Sequence, residues 1–207
     1  MTSSQRRGRW SGVPLADRQA LRRDQLLAAG VRVLGDADGA PLTVRAVCRQ
    51  ADLTERYFYE SFSDRDQFVR AVYDDVGTRA MAALASAHTA REAVEQFVAL
   101  MVDDPILGRV LLLGPETEPA LTRSGSKWMP NFIALLQHKL TRLGDPVRQQ
   151  LVATSLIGGL TGLFSAYLNG RLSADRGQFI DFCVDMLVTA GRPESVGTGS
   201  RRTDPST

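Results

Sequence analysis

Along the whole chain apolar residues recur at intervals of three and four, and Val, Ile, Thr, Tyr and Phe never gather into alternating runs. A 3.6-residue period places such residues on one face of a helix, whereas a half-buried strand needs a period of two, so the fold class is expected to be all-α. Gly, Pro and capping residues divide the pattern. Residues 1–14 are polar, basic and glycine-containing and read as a flexible arm. A first helix is expected from about Asp17 to Leu34, with Leu27, Val31 and Leu34 inward and Gly35, Gly39 and Pro41 ending it. Thr43 is placed to cap a short helix through Gln50, and Thr54 a second one carrying Phe58 and Phe62. Ser63 or Asp64 opens a fourth helix holding Phe68, Val69, Val72 and Tyr73. Thr89 to Glu92 reads as a capping box, Pro105 opens a short apolar helix, and Gly114-Pro115 breaks it. A long helix from Glu118 to Leu143 must kink or split at Pro130. Two further helices run from Pro146 to about Asn169 and from Asp175 to about Ala190, and residues 192–207 read as a disordered tail.

Composition excludes several classes. With 43% hydrophobic and 23% charged residues over 207 positions the chain can build a packed core, so wholesale disorder is excluded. No uninterrupted apolar run reaches about 18 residues and the N-terminus lacks an apolar core segment, so neither a membrane span nor a secretory signal is expected. Cys48 and Cys183 form no disulfide framework and no metal-ligand spacing, read as small buried hydrophobes, and suit the reducing cytoplasm. His88 and His138 have no carboxylate or cysteine neighbours at ligand spacing, so neither a metal nor another cofactor is expected. There is no GxSxG, no HExxH and no glycine-rich phosphate loop, and an enzyme is not expected.

A net charge of +2 excludes a globally basic nucleic-acid binder, but the charge is unevenly placed. Residues 1–62 hold ten arginines against seven acids, and residues 67–190 hold eleven basic against twelve acidic side chains. Lys127 and Lys139 are the only lysines among 25 cationic residues. Arginine suits bidentate phosphate contact, although a biased gene composition produces the same excess.

The informative segment is Leu42 to Phe68. Two short amphipathic helices separated by three or four residues form a helix-turn-helix, which lays its second helix in a DNA major groove. Val44, Val47 and Cys48 supply the inner face of the first helix, and Leu53 fills the angle between the two. Phe58 and Phe62 point inward from the second, leaving Thr54, Glu55, Arg56, Tyr57 and Ser61 outward, where they can reach base edges and phosphates.

This segment resembles the DNA-binding domain of the TetR (tetracycline-repressor-like) family of transcriptional regulators. The resemblance rests on Thr43 leading a helix, the turn Ala51-Asp52-Leu53-Thr54, the run Phe58-Tyr59-Glu60-Ser61-Phe62 and the basic Arg65 opening the next helix. Leu26 to Ala29 also resembles the family's first helix, and the likeness covers about residues 20–70. One departure is Asp52 where the family has glycine; Asp tolerates the left-handed backbone better than most residues. The resemblance implies that Thr43 and Arg45 contact phosphates at a helix N-terminus, that Glu55, Arg56 and Tyr57 face the major groove, that Tyr59 and Ser61 touch the DNA backbone, and that Arg65 is a phosphate clamp. Glu55 can accept a hydrogen bond from a cytosine amino group or can instead pair with Arg56 or Arg45. Residues 6–9 either thread a minor groove or form an idle tail.

The division implied is a helix-turn-helix domain over 15–63 and a helical effector-binding and dimerisation domain over 64–191. A reader of palindromic double-stranded DNA needs two copies. Thr154, Gly158, Gly162 and Ala166 recur every four residues, a small-residue stripe that permits close helix approach, and Phe179, Phe182 and Met186 add apolar surface on the final helix. These residues are expected at a homodimer interface built as a four-helix bundle, with packing inside one protomer as the alternative. The resemblance also implies a cavity for a small apolar effector, with Phe97, Met101, Trp128, Met129, Phe132, Phe164 and Tyr167 as candidate lining, joined by Leu112 and Leu136. No buried cation is apparent there, which disfavours a small anionic effector. The expected function is a homodimeric repressor released by such an effector; the alternative is a helical ligand-binding or interaction module that has lost DNA reading.

Overall fold

The computed structural model describes residues 15–38, 41–122 and 127–192, and among these every regular element is helical. The expected arm and all of the expected tail but Arg192 lie outside the described residues. Helix α1 is Leu15–Leu34, α2 Val44–Ala51, α3 Glu55–Ser61, α4 Arg65–Ser86 and α5 Ala90–Val98. A π-helical stretch, Ala99–Asp103, leads to α6 (Pro105–Gly108), and a second, Arg109–Leu113, leads to α7 (Gly114–Thr117) and α8 (Pro119–Thr122). Helices α9 (Trp128–Lys139), α10 (Pro146–Leu168) and α11 (Arg176–Ala190) complete the chain.

The starts of these helices follow from their caps. The Thr43 hydroxyl accepts from the Ala46 amide, and the Asp64 carboxylate, rather than Ser63, accepts from the Gln67 amide. Thr89 accepts from the Glu92 amide, while the Glu92 carboxylate reaches back to the His88 amide, one residue earlier than a standard box. Asp145 accepts from Val147 and Arg148 in front of Pro146, and Asp175 with Gln178 forms a complete capping box. Pro130 falls in the first turn of α9, where no backbone donor is needed, so the long helix expected from Glu118 splits around it. Gly114-Pro115 does not break a helix but opens α7. The Gly114 amide bonds to Arg109 O, five residues back, and this widened turn accommodates a proline whose ring would strike the carbonyl four residues earlier in an α-helix.

Asp52 is the single non-glycine residue with positive φ among those described, at φ 54° and ψ 41°. The tight α2–α3 turn thus takes the left-handed conformation anticipated there. Asp52→Gly is expected to stabilise the fold by about 0.5–1 kcal/mol, read as a rise in urea midpoint at unchanged slope, because a side chain is strained in that region. A lower midpoint would contradict this.

The inner stripe of α1 differs from the expected one. Leu26, Ala29 and Val31 are buried, with Leu27 and Leu34 only partly so. The reason is Gly30, whose backbone lies directly against Phe68 and Val72; a Cβ there would overlap both, and this close approach rotates α1 onto α4. Phe68 packs edge to face on Phe58 and Phe62 at 5.1 and 4.9 Å, Phe58 and Phe62 lie tilted at 5.6 Å, and with Val47 and Leu26 they form a core that continues through α4 to Val110 and Leu121. The helix-turn-helix and the following helices therefore share one core across the expected boundary at 63/64. A second core, of Val94, Val98, Phe164, Phe179 and Cys183, joins α5, α10 and α11. Helix α10 is long and apolar enough by length and composition to cross a membrane, with mean hydropathy 1.6 and only 22% of its most apolar stretch buried.

Candidate functional site

Helix α3 is held from beneath and bare above. Phe58 anchors it, and two cations of α1 brace its flank: Arg22 lies 4.2 Å over the Tyr57 ring and 3.7 Å from Glu60, while Arg23 lies 4.4 Å over Phe62 and donates to Ser61 O. Neither arginine was singled out in the sequence, because spacing along α1 does not reveal what a side chain meets on another helix. On the outer side Arg56 is 84% exposed and pairs with Glu60 at 3.0 Å, and Arg45, 89% exposed, lies 3.6 Å from Glu55. Of the two pairings open to Glu55, the structure takes the one with Arg45. Exposed pairs of this kind contribute about 0–1 kcal/mol, so either arginine can exchange its carboxylate for a phosphate at little cost.

Thr43, Thr54 and Tyr59 are exposed, Tyr57 and Ser61 half-buried. The Thr54 hydroxyl makes no cap bond, unlike that of Thr43. Cys48, on the inner face of α2, is buried; that burial, with Glu55 nearby, raises its thiol pKa and keeps it protonated.

Arg65 departs from its expected role. Its guanidinium donates to Leu42 O at 2.8 Å, to Asp66 at 3.1 Å, and in bidentate fashion to Glu118 at 3.1 and 2.7 Å. It is thus tied into the protein, linking Leu42, two residues ahead of α2, to Glu118 just before α8. Burial pushes the Glu118 carboxyl up, but the Arg65 bonds and the Ala120 amide outweigh it and hold the carboxyl below its ordinary range.

An apolar cavity of about 150 Å³ lies between α4, α5, α9 and α10. Phe97, Trp128, Met129, Phe132 and Phe164 line it as expected, with Leu112 and Leu136. Met101 and Tyr167 do not: Met101 is wholly buried beside α4 and α6, and Tyr167 stacks on Phe179 at 4.2 Å. The polar groups at the wall are engaged, Trp128 Nε1 with Asp74 and the Thr161 hydroxyl with Ile157 O. The Tyr73 hydroxyl, raised to about 12 by burial and by Asp74, stays protonated. Tyr73, Thr161 and Lys139 were missed as lining because single polar positions carry no periodic signal.

Of the expected partner-facing residues, Thr154, Gly158, Gly162 and Phe182 are exposed, Phe182 at 56%, while Ala166 and Met186 are half-buried. Phe179 is a correction: it is buried inside the protomer between Phe164 and Tyr167. On a helix as apolar as α11 the sequence pattern does not distinguish its inner from its outer stripe. Nothing lies within 4 Å of a Cβ built on Gly158 or Gly162, so the small-residue stripe is open on this side.

No protein-family model matches the chain, and no curated protein matches it in sequence. The fold does match solved structures. A TetR family transcription regulator from Marinobacter aquaeolei VT8 superposes with TM-score 0.61 at 18% identity, over 85% of this chain and 98% of that one. A TetR-like transcriptional regulator from Rhodococcus sp. RHA1 gives TM-score 0.61 at 19% identity over 82% and 94%. EbrR, a multidrug binding protein solved with imidazole, gives 0.60 at 22% over 84% and 97%. The chain therefore has the all-α fold of the TetR-family transcriptional regulators.

Proposed function

We propose that the protein is a sequence-specific DNA-binding transcriptional regulator of the cytoplasm, acting as a homodimeric repressor that a small apolar effector releases. The observation that carries this reading is α3 itself, seated on Phe58 with Arg56 exposed on the opposite face and Thr54 exposed at its N-terminal cap. That is the geometry a recognition helix needs to enter a major groove, with Arg45 and Thr43 at the N-terminal end of α2 beside it for phosphate. Arg65 serves this function as a strut between Leu42 and Glu118, not as a phosphate clamp. The exposed apolar residues Val147 and Leu151 on α10, Phe182 on α11, and the open glycine stripe support dimerisation through these two helices. Effector binding need only favour the arrangement in which the two α3 helices miss adjacent major grooves, about 34–36 Å apart, by a few kcal/mol.

Selection of bound fragments from randomised DNA tests the activity and yields the half-site spacing. On the selected site Arg56→Ala is expected to cost about 1–3 kcal/mol and to relax preference at one base position. Arg45→Ala should weaken all sequences alike and reduce the salt slope by about one. Equal losses for Arg56→Ala on selected and random DNA would remove base readout from that residue.

A further inference from the structure

The apolar cavity does not end at its apolar wall. Ala93, Leu136, Lys139 and Leu187 also line a second, wider recess of about 620 Å³ between the α4–α5 turn, the end of α9 and the end of α11. This recess differs in chemistry. Its charged lining is Lys139, Arg142 and Arg192, with His88, and it contains no acid. None of these three cations has a carboxylate partner among the described residues; Lys139 donates to Ala87 O at 2.8 Å, and the nearby Glu92 carboxylate is bonded to the His88 amide. Elsewhere on the same helices Arg79, Arg91, Arg176 and Lys127 are all paired with acids. Three solvent-exposed cations around one opening, with no carboxylate partner among the described residues, form a rim that favours an anion from outside.

The inner cavity is also elongated. Trp128, Met129, Phe132, Leu136 and Lys139 lie along one face of α9 over about 16 Å of helix. A volume near 150 Å³, enough alone for about one benzene ring, spread over that length makes a narrow channel. With the outer recess it comes within the range of about 300–1,000 Å³ of small-molecule sites.

We propose that the effector is a single-chain amphipathic anion, its alkyl chain in the apolar channel and its anionic head at Lys139, Arg142 and Arg192. This rests on the reading of the cavity as an effector site and replaces the wholly apolar effector expected there with one that also carries an anionic head. A free carboxylate and a phosphorylated acyl thioester share this chemistry; the larger head of the second would reach Arg142 and Arg192 together.

The test uses the full-length protein without DNA. A neutral fluorescent probe, N-phenyl-1-naphthylamine, reports occupancy of the channel, and dodecanoate, dodecanol and dodecanoyl coenzyme A compete with it. Dodecanoate or its thioester should displace the probe at least about tenfold more effectively than dodecanol, and whichever anion wins identifies the source. Arg142→Gln with Arg192→Gln should remove most of that advantage while leaving dodecanol and probe binding unchanged, as expected for one or two charge-assisted hydrogen bonds. Probe binding with dodecanol equal to or better than both anions would overturn the proposal and leave the effector cavity standing. An anion advantage that survives the double substitution would also overturn it. Failure of the probe and of every chain to bind would remove the cavity reading as well.

Discussion

Arg65→Ala is expected to destabilise the fold by about 2–4 kcal/mol at neutral pH, more than Glu118→Ala or Glu118→Gln, and to lose most of that effect in acid. The asymmetry comes from burial. The Glu118 side chain is 9% exposed and that of Arg65 34%, so removing the arginine leaves a carboxylate deep in the protein, whereas removing the carboxylate leaves a cation that still holds Leu42 O and Asp66. In the wild type Glu118 titrates below its ordinary value, so its pairing contributes stability above the unfolded pKa of about 4.3 and loses it as pH falls through the lower folded value. In the variant burial is opposed only by the Ala120 amide, so the carboxyl titrates higher than in the wild type and acid restores stability by neutralising it. The gap between the two proteins should therefore be wide at pH 7 and narrow near pH 4. Urea unfolding at both values measures it. A gap that does not change between them would show that Glu118 is not the group responsible.

Gly162→Glu should separate folding from assembly. In the protomer nothing lies within 4 Å of a Cβ at this position, and glutamate is a better helix former than glycine by up to about 1 kcal/mol, so the helical content should be kept. Across a two-fold axis the same substitution sets two carboxylates against each other where the small-residue stripe allows close approach. Light scattering is expected to show a monomer. Affinity for a palindromic site should fall by at least about 100-fold while half-site binding persists, since the second contact is no longer intramolecular. A variant that remains dimeric would move the interface away from α10, and the exposed Val147 and Leu151 would then need another cover.

Local signals carried most of the architecture. Thr43, Asp145 and Asp175 mark helix starts by chemistry that acts within three residues, and Asp52 marks the turn by a backbone preference of its own. Around Phe58 and Phe62 the expected outward residues Thr54, Glu55 and Arg56 are exposed, whereas Ser61 and Tyr57, the latter beneath Arg22 of α1, are half-buried. What was not legible depends on distant partners. Arg65 reads as a surface cation until Glu118, 53 positions away, is seen beside it. Leu26 rather than Leu27 faces the core because Gly30 meets Phe68, a contact between two helices. Phe179 and Phe182 are equally apolar and three apart, and the packing of Phe164 and Tyr167 assigns the first to the interior. Lys139 could not be placed, because no sequence pattern shows that two recesses meet at it.

The widened turn at Arg109–Leu113 makes chain length, as well as residue identity, a determinant of interdomain linkage. Losing one residue there would replace the wide turn with a regular α-helical one and set the Pro115 ring against the carbonyl four residues before it. Glu118 lies five residues beyond that stretch, so the distortion of α7 would reach its bidentate contact with Arg65. A one-residue shortening in a segment remote from α2 would thus act on the strut through which Arg65 ties Leu42, ahead of that helix, to Glu118.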